Sequence, residues 1–298
     1  MDFILSYPEV TGRERDMLDG GHPGEIAACA EAAGFSGFAL TEHPGPGANW
    51  LAHGGHQTLD PFVGLAFAAA ATTRIRLLTY LTVAPYRNPF LLAKAAASLD
   101  RLSGGRLVLG MGTGYLKGEF FALGVDFAER NALFDEALDV LPAAWSGEPC
   151  TYQGLHFDAR DIIQLPRPLQ RPIPIWIGGN SKLTRRRVAE RAQGWMPLAG
   201  PPELAQTTRT PHLDSLAALR DLIAEVKSAA GGRGDSLDVV VRYFGTDLDD
   251  PAIDAGRHRD AFAAHAEIGV TALLVGETPL GASTHRAWID RFGAAYLT

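Results

Sequence analysis

Strand-forming and helix-forming runs alternate along this chain eight times, and that rhythm leaves few folds open. Short β-branched or aromatic stretches begin near Phe3–Tyr7, Gly37–Glu42, Ile75–Ala84, Leu107–Gly112, Ile173–Gly178, Trp195–Leu198, Val239–Phe244 and Ala272–Val275. Each is followed by a longer, often Ala-rich helical stretch. A helix between strands is the crossover that parallel pairing needs. Repeated eight times, it predicts an α/β fold closed as a (β/α)8 TIM barrel, with an open doubly wound sheet as the alternative. Length allows one such barrel or two smaller domains. No linker, internal repeat or low-complexity tract divides the chain, so residues 1–298 are expected to form a single domain.

Punctuation refines the helices. Glu25–Ala33 precedes Gly34, and Pro89 opens a run through Leu102 that stops before Gly104-Gly105. Asp135–Trp145 continues the pattern, and Pro142 is expected to end or kink it. One stretch breaks the rhythm. Gly147–Pro172 carries four prolines from Pro149 onward and an alternation over Tyr152–Phe157, which predicts a β-hairpin insertion before the fifth strand.

Composition excludes several classes. With 27 Lys and Arg against 34 Asp and Glu, a formal charge of −7 offers no basic field for nucleic acid. Two cysteines, Cys29 and Cys150, show neither disulfide nor zinc spacing. No apolar run approaches the ~18 residues of a membrane span, and Met1–Val10 lacks a basic leader, so a cytoplasmic protein is expected.

In a parallel barrel the chemistry sits at the carboxyl ends of the strands. Those ends read Thr41-Glu42-His43-Pro44, Thr79-Tyr80, Gly110-Met111-Gly112-Thr113-Gly114-Tyr115 and Gly178-Gly179-Asn180-Ser181. The last runs into a helix bearing Lys182, Arg185, Arg186 and Arg187. Glycines allow close backbone approach, and the helix start presents free amides, so a phosphate suits this turn; a plain tight turn with an N-cap is the alternative. The glycines at 110, 112 and 114 miss the dinucleotide fingerprint by one position. They read either as a flat floor for a planar ring or as a crowded corner of the barrel. His43 is the candidate acid or base. His53 and His56 follow on the same loop, but their spacing matches no zinc pattern, and a Gly-rich lid is the better reading, with no metal expected. Neither a G-x-S-x-G elbow nor a P-loop lysine occurs, and none of Lys94, Lys117, Lys182 and Lys227 ends a strand.

Several of these segments together resemble the bacterial luciferase-like monooxygenase family, especially its F420-dependent, deazaflavin-using oxidoreductase branch. The resemblance is carried by Glu42-His43, by Thr72–Leu77, by Pro85-Tyr86-Arg87-Asn88-Pro89 and by Leu99–Arg106. It continues through Gly112-Thr113-Gly114-Tyr115 ahead of Glu119-Phe120, Ile175–Asn180 and Gly194-Trp195, collinear over about residues 1 to 200. It implies coenzyme F420, or alternatively FMN, at the barrel mouth, with the cofactor phosphate on the Gly178-Gly179-Asn180 turn. It also implies a non-prolyl cis peptide at the end of the third strand, expected at Thr79–Tyr80. By position, His43 would lie at the reactive edge of the ring, with Glu42, Tyr80, Gly112, Thr113 and Tyr115 around it and Arg187 and Trp195 behind. Tyr115 stands where some deazaflavin dehydrogenases carry a carboxylate acid, so His43 or Tyr115 has to handle the proton.

Three functions follow. The first is hydride transfer between F420 and a small organic substrate. The second is a two-component FMN monooxygenase fed by a separate reductase, and the third is a catalytically silent flavin-binding barrel. Trp50, Tyr80, Tyr115, Trp176 and Trp195 are candidates for an aromatic substrate pocket. The apolar helices Pro61–Thr72 and Pro89–Leu102 suggest a homodimer contact, which the family resemblance also implies.

Overall fold

The computed structural model describes residues 1–11, 16–243, 248–276 and 282–297. Eight parallel strands close on themselves. In order they are β1 (Asp2–Ser6), β2 (Gly37–Leu40), β3 (Arg76–Thr79), β4 (Leu107–Gly112), β5 (Ile175–Gly178), β6 (Gly194–Met196), β7 (Asp238–Arg242) and β8 (Ala272–Val275), and β8 pairs back to β1. Closure is explicit in the register, with Phe3 opposite Leu273 and Ile177 opposite Met111. The expected TIM barrel is the fold, and the open sheet is not. Phe244, the expected end of the seventh strand, lies outside the described residues.

Strand alternation sets the two cores. Ile4, Leu78, Val108, Trp176, Met196 and Val240 point inward and fill the barrel. Their neighbours Phe3, Leu5, Leu77, Leu107 and Ile177 point outward beneath the helices. The helices start where polar caps hold free amides: Asp60 accepts from Phe62 and Val63, and Asn88 accepts from Phe90. Gly34 closes the helix Pro23–Ala33 with a φ of 97°, a left-handed conformation that suits glycine. Pro142 does not end its helix, which runs from Arg130 to Trp145; it removes the one amide that would bond the Leu138 carbonyl, and the helix continues three residues beyond it.

Two features depart from the simple repeat. The strand expected over Ile75–Ala84 is interrupted, since β3 stops at Thr79 and pairing resumes at Thr82–Val83 against Met111 and Gly112. Leu78 faces Val108 and Thr82 faces Met111, so the third strand carries one extra residue, a β-bulge. Within it the Tyr80–Leu81 peptide is cis, one residue beyond the expected Thr79–Tyr80 bond. The insertion forms the expected hairpin, Cys150–Gln153 against Asp158–Ile162. Its tip, Gly154–Phe157, is turn rather than strand, tied down where the Glu136 carboxylate accepts the His156 amide at 2.9 Å and meets its Nδ1 at 2.6 Å.

At the amino-terminal end of the barrel two charged side chains hold the backbone of the turn around Thr72–Ile75. The Arg106 guanidinium donates to the carbonyls of Ser103, Ile75, Ala69 and Thr72 and to the Thr72 hydroxyl. Glu31 accepts the amides of Thr73, Arg74 and Ile75. Among the described residues no helix is long and apolar enough to cross a membrane.

Candidate active site

At the opposite, carboxyl-terminal end the strands open into a cavity of about 670 Å³. Its floor follows from the bulge. Thr79, fully buried, donates its hydroxyl to the Gly110 carbonyl at 2.8 Å, and a Cβ at Gly110 would come within 1.9 Å of the Thr79 carbonyl oxygen. Gly110 is therefore a close-packing position, the crowded-corner reading of the glycine run. Gly112 and Gly178 serve a different neighbour. A Cβ on either would come within 2.5 or 2.3 Å of the Leu81 side chain, which lies flat on the bare backbone of β4 and β5 as an apolar platform.

One side wall carries His43. Its amide donates to the Thr58 hydroxyl at 2.9 Å, and its Nδ1 lies 3.3 Å from both oxygens of Glu119, whose side chain is fully buried. Glu119 also accepts from the Tyr86 hydroxyl at 2.7 Å and from the Gly45 amide at 3.3 Å. The other ring nitrogen of His43, Nε2, faces the Tyr115 hydroxyl at 3.4 Å. Burial, reinforced by the Glu9 and Glu119 charges, raises the Tyr115 phenol above its ordinary value, so it stays protonated at neutral pH. Burial likewise pushes Tyr80 up to about 12. Glu119, Tyr86 and Glu9 were not nominated from sequence. The available signal was the spacing of Glu119 four residues after Tyr115, next to the buried Phe120.

Behind His43 lies a second polar set. His56 meets His43 edge to face at 4.9 Å and pairs with Glu9 at 3.7 Å, and Glu9 pairs with Arg242 at 3.4 Å. Burial drives the Glu9 carboxyl up, but the Arg242 guanidinium and both imidazoles outweigh it and leave the group below its usual range. Burial lowers His56, which favours its neutral form. The loop that carries His43 and His56 lines the cavity. Trp50, on the short helix Ala48–Ala52, packs on His43 at 4.8 Å, and His56–Gln57 pairs with Val10–Thr11. His53, exposed at the cavity rim, bonds the Asn49 carbonyl, and among the described residues no group of three ligands could hold a metal.

Other nominated residues are committed to supporting the walls. Glu42 accepts the Val83 amide at 2.6 Å and pairs with Arg87; burial still holds its carboxyl above the ordinary value, against the pull of Arg87. It borders the cavity but is committed to the bulge. Trp195, fully buried, donates its indole N–H to the Gly179 carbonyl at 2.8 Å. Arg187 points away, bonded to Asp135 at 2.7 Å and to Asn131. Trp176 fills the barrel below. Of the five aromatic candidates, Trp50, Tyr80 and Tyr115 face the cavity.

The Gly178-Gly179-Asn180 turn needs the largest correction. Its amides are not all open to a ligand, because Gly179 donates to the Met196 carbonyl at 3.1 Å and Asn180 to the Thr210 hydroxyl at 2.8 Å. The Asn180 side chain is fully buried, holding Leu198 and Pro211. What the turn presents is the start of the helix Lys182–Arg191, where the Ser181 hydroxyl caps the Thr184 amide at 3.1 Å and the Lys182 and Leu183 amides have no helical acceptor, with Arg209 also at the cavity rim.

A barrel whose mouth combines a bulged third strand, a glycine-lined platform and a histidine at the end of β2 defines a recognisable class. A family model described as luciferase-like monooxygenase matches residues 15–265, and the chain belongs to that family. An uncharacterized protein of Mycobacterium tuberculosis is 30% identical over 285 residues, covering 91% of this chain and 93% of that protein. The F420-dependent glucose-6-phosphate dehydrogenase of Beutenbergia cavernae is 34% identical over 198 residues, which is 64% of this chain and 57% of that enzyme. The crystal structure of a monooxygenase from Streptomyces bottropensis shares the fold, with a TM-score of 0.73 at 19% identity over 100% of this chain and 99% of the other. The chain is thus an oxidoreductase-family barrel.

Proposed function

We propose that the protein transfers hydride between coenzyme F420 and a small organic substrate. The observation that carries this reading is that one cavity holds both a platform for a planar ring and a buried acid–base pair. Leu81 on Gly112 and Gly178 supplies the flat apolar surface, with Tyr80 and Thr113 beside it. The rim at Ser181, Thr184 and Arg209, with the start of the helix Lys182–Arg191, suits the anionic tail that both F420 and FMN carry. These residues fit such a group. Bound there, a deazaflavin would supply two-electron hydride chemistry without oxygen activation.

The chain's own residues would do the rest. His43 and the neutral Tyr115 phenol exchange a proton with the substrate, and Trp50 with its loop covers the cavity against water. The identity to an F420-dependent dehydrogenase supports F420 over FMN. A second reading, a monooxygenase using FMN from a separate reductase, draws on the family description. A silent barrel is less consistent with the intact His43–Glu119–Tyr115 contacts. The proposal includes a cytoplasmic location and a homodimer. Exposed Val63 and Phe67 on the helix Pro61–Ala71 and Leu91 on the helix Pro89–Leu102 support the latter.

The test is turnover. Incubated with oxidised or reduced F420 and a panel of alcohols, aldehydes and enones, the protein is expected to change the deazaflavin absorbance with at least one substrate. Oxygen consumption with reduced FMN and no response to F420 would replace this reading with the second.

A further inference from the structure

We propose that Glu119 and Tyr86 are positioning residues that set His43 as the inner end of a proton relay whose outer end is the Tyr115 hydroxyl. The proposal rests on the oxidoreductase reading for its purpose, but it concerns only side chains of this chain. An ionised carboxylate can only accept hydrogen bonds. Glu119 is 1% exposed and spans His43 Nδ1 with both oxygens at 3.3 Å, so Nδ1 has to carry the hydrogen. The neutral ring then has its lone pair at Nε2, 3.4 Å from Tyr115 Oη. The phenol is therefore the donor in that contact, and the relay has a direction.

A proton taken from a substrate hydroxyl by Tyr115 Oη releases the phenol's own proton to His43 Nε2. The imidazolium that forms keeps its Nδ1–H on Glu119, so the new positive charge is held by a buried carboxylate. In reverse, Nε2 returns the proton to Tyr115, which passes its own to the substrate oxygen. Tyr86, donating to Glu119 at 2.7 Å, and the Gly45 amide occupy the remaining acceptor capacity and fix the carboxylate plane. These contacts are long, as catalytic hydrogen bonds often are before substrate binds.

Other groups also face His43. His56 lies edge to face at 4.9 Å, with Glu9 and Arg242 behind it, and Trp50 covers the ring at 4.8 Å. Their charges act on the imidazole from the other side, so the test has to separate them from Glu119.

The test reads the tautomer directly, in the full chain without cofactor. Long-range proton–nitrogen NMR correlations of protein labelled with ¹⁵N-histidine, assigned with His43→Asn, are expected to show neutral His43 as the Nδ1–H form. His56→Gln should leave that form in place. Glu119→Gln should mix in the Nε2–H form. Should Glu119→Gln fail to fold, Tyr86→Phe keeps the carboxylate and should retain the Nδ1–H form while moving the His43 Nδ1 resonance. A wild-type His43 protonated on Nε2, a tautomer that Glu119→Gln leaves unchanged, or an Nδ1 resonance that Tyr86→Phe leaves in place overturns the relay. Because no cofactor or substrate is present, that outcome is distinct from a failure of the F420 reading, which shows only in turnover.

Discussion

The two ends of this barrel both tie charged side chains into hydrogen-bond networks, but they treat them oppositely. At the amino-terminal end Arg106 and Glu31 spend nearly all their hydrogen bonds on the backbone, stitching the turn around Thr72–Ile75 to its neighbours. At the mouth, Glu119, His43 and Tyr115 are joined through His43, and all three border the cavity. Charges satisfied by backbone hold a fold together. Those satisfied by other titratable side chains can change protonation without unfolding anything, which is what a reaction requires.

The contrast predicts where mutations act. Arg106→Ala should cause the largest stability loss, about 3 kcal/mol in urea unfolding, because it strips several backbone carbonyls of their donor. Cofactor affinity in the folded fraction should be unchanged. A comparable loss of affinity on Arg106→Ala would blur the division between the two ends. Gly178→Val should do the reverse. The new side chain displaces Leu81 from its seat, and F420 binding measured by calorimetry should weaken about 100-fold, with a smaller effect on unfolding. Tyr115→Phe keeps the ring and removes the hydroxyl, so kcat should fall about 30-fold with KM and melting temperature nearly constant. An unaltered kcat would take Tyr115 out of the chemistry.

The smallest effect is expected at Glu31. The Ile75, Arg74 and Thr73 amides outweigh the burial that pushes its carboxyl up, and they lower it to about 2. A group depressed in the folded state stabilises above its unfolded value near 4.3 and loses that contribution as pH falls through the folded one. Glu31→Gln should therefore be less stable than wild type at pH 7, by under about 1 kcal/mol given its exposure to solvent. The difference should vanish between about pH 4 and 2. A gap that persists at pH 2 would mean packing, not charge, holds the turn.

How much of this was legible in the sequence divides along the same line. Strand runs such as Leu107–Gly112 and Ala272–Val275 were readable to the residue because alternation and β-branching are local properties. His43 was readable because it lies just past the carboxyl end of a strand. Long-range hydrogen bonding was not readable. Nothing near Gly179 or Asn180 announces that their amides are taken by Met196 and Thr210, elements that arrive later in the chain. Arg187 lies on the helix beside the turn, and only the packing of the helix Arg130–Trp145 shows that it points at Asp135 instead of the cavity. Glu119 was hidden for the same reason: its partners His43 and Tyr86 lie 76 and 33 residues away. The cis bond was misplaced by one residue because a bulge adds a residue whose position only the partner strand defines.

The account stands most directly on cofactor binding at the mouth. Titrating the purified apoprotein with coenzyme F420 and, separately, with FMN, while following tryptophan fluorescence, tests it in one step, since Trp50 borders the cavity and Trp195 holds the Gly179 carbonyl at its corner. Saturable quenching by F420, weaker with FMN and lost in Gly178→Val, is the predicted result. Quenching by neither cofactor, or binding that Gly178→Val leaves untouched, would contradict it.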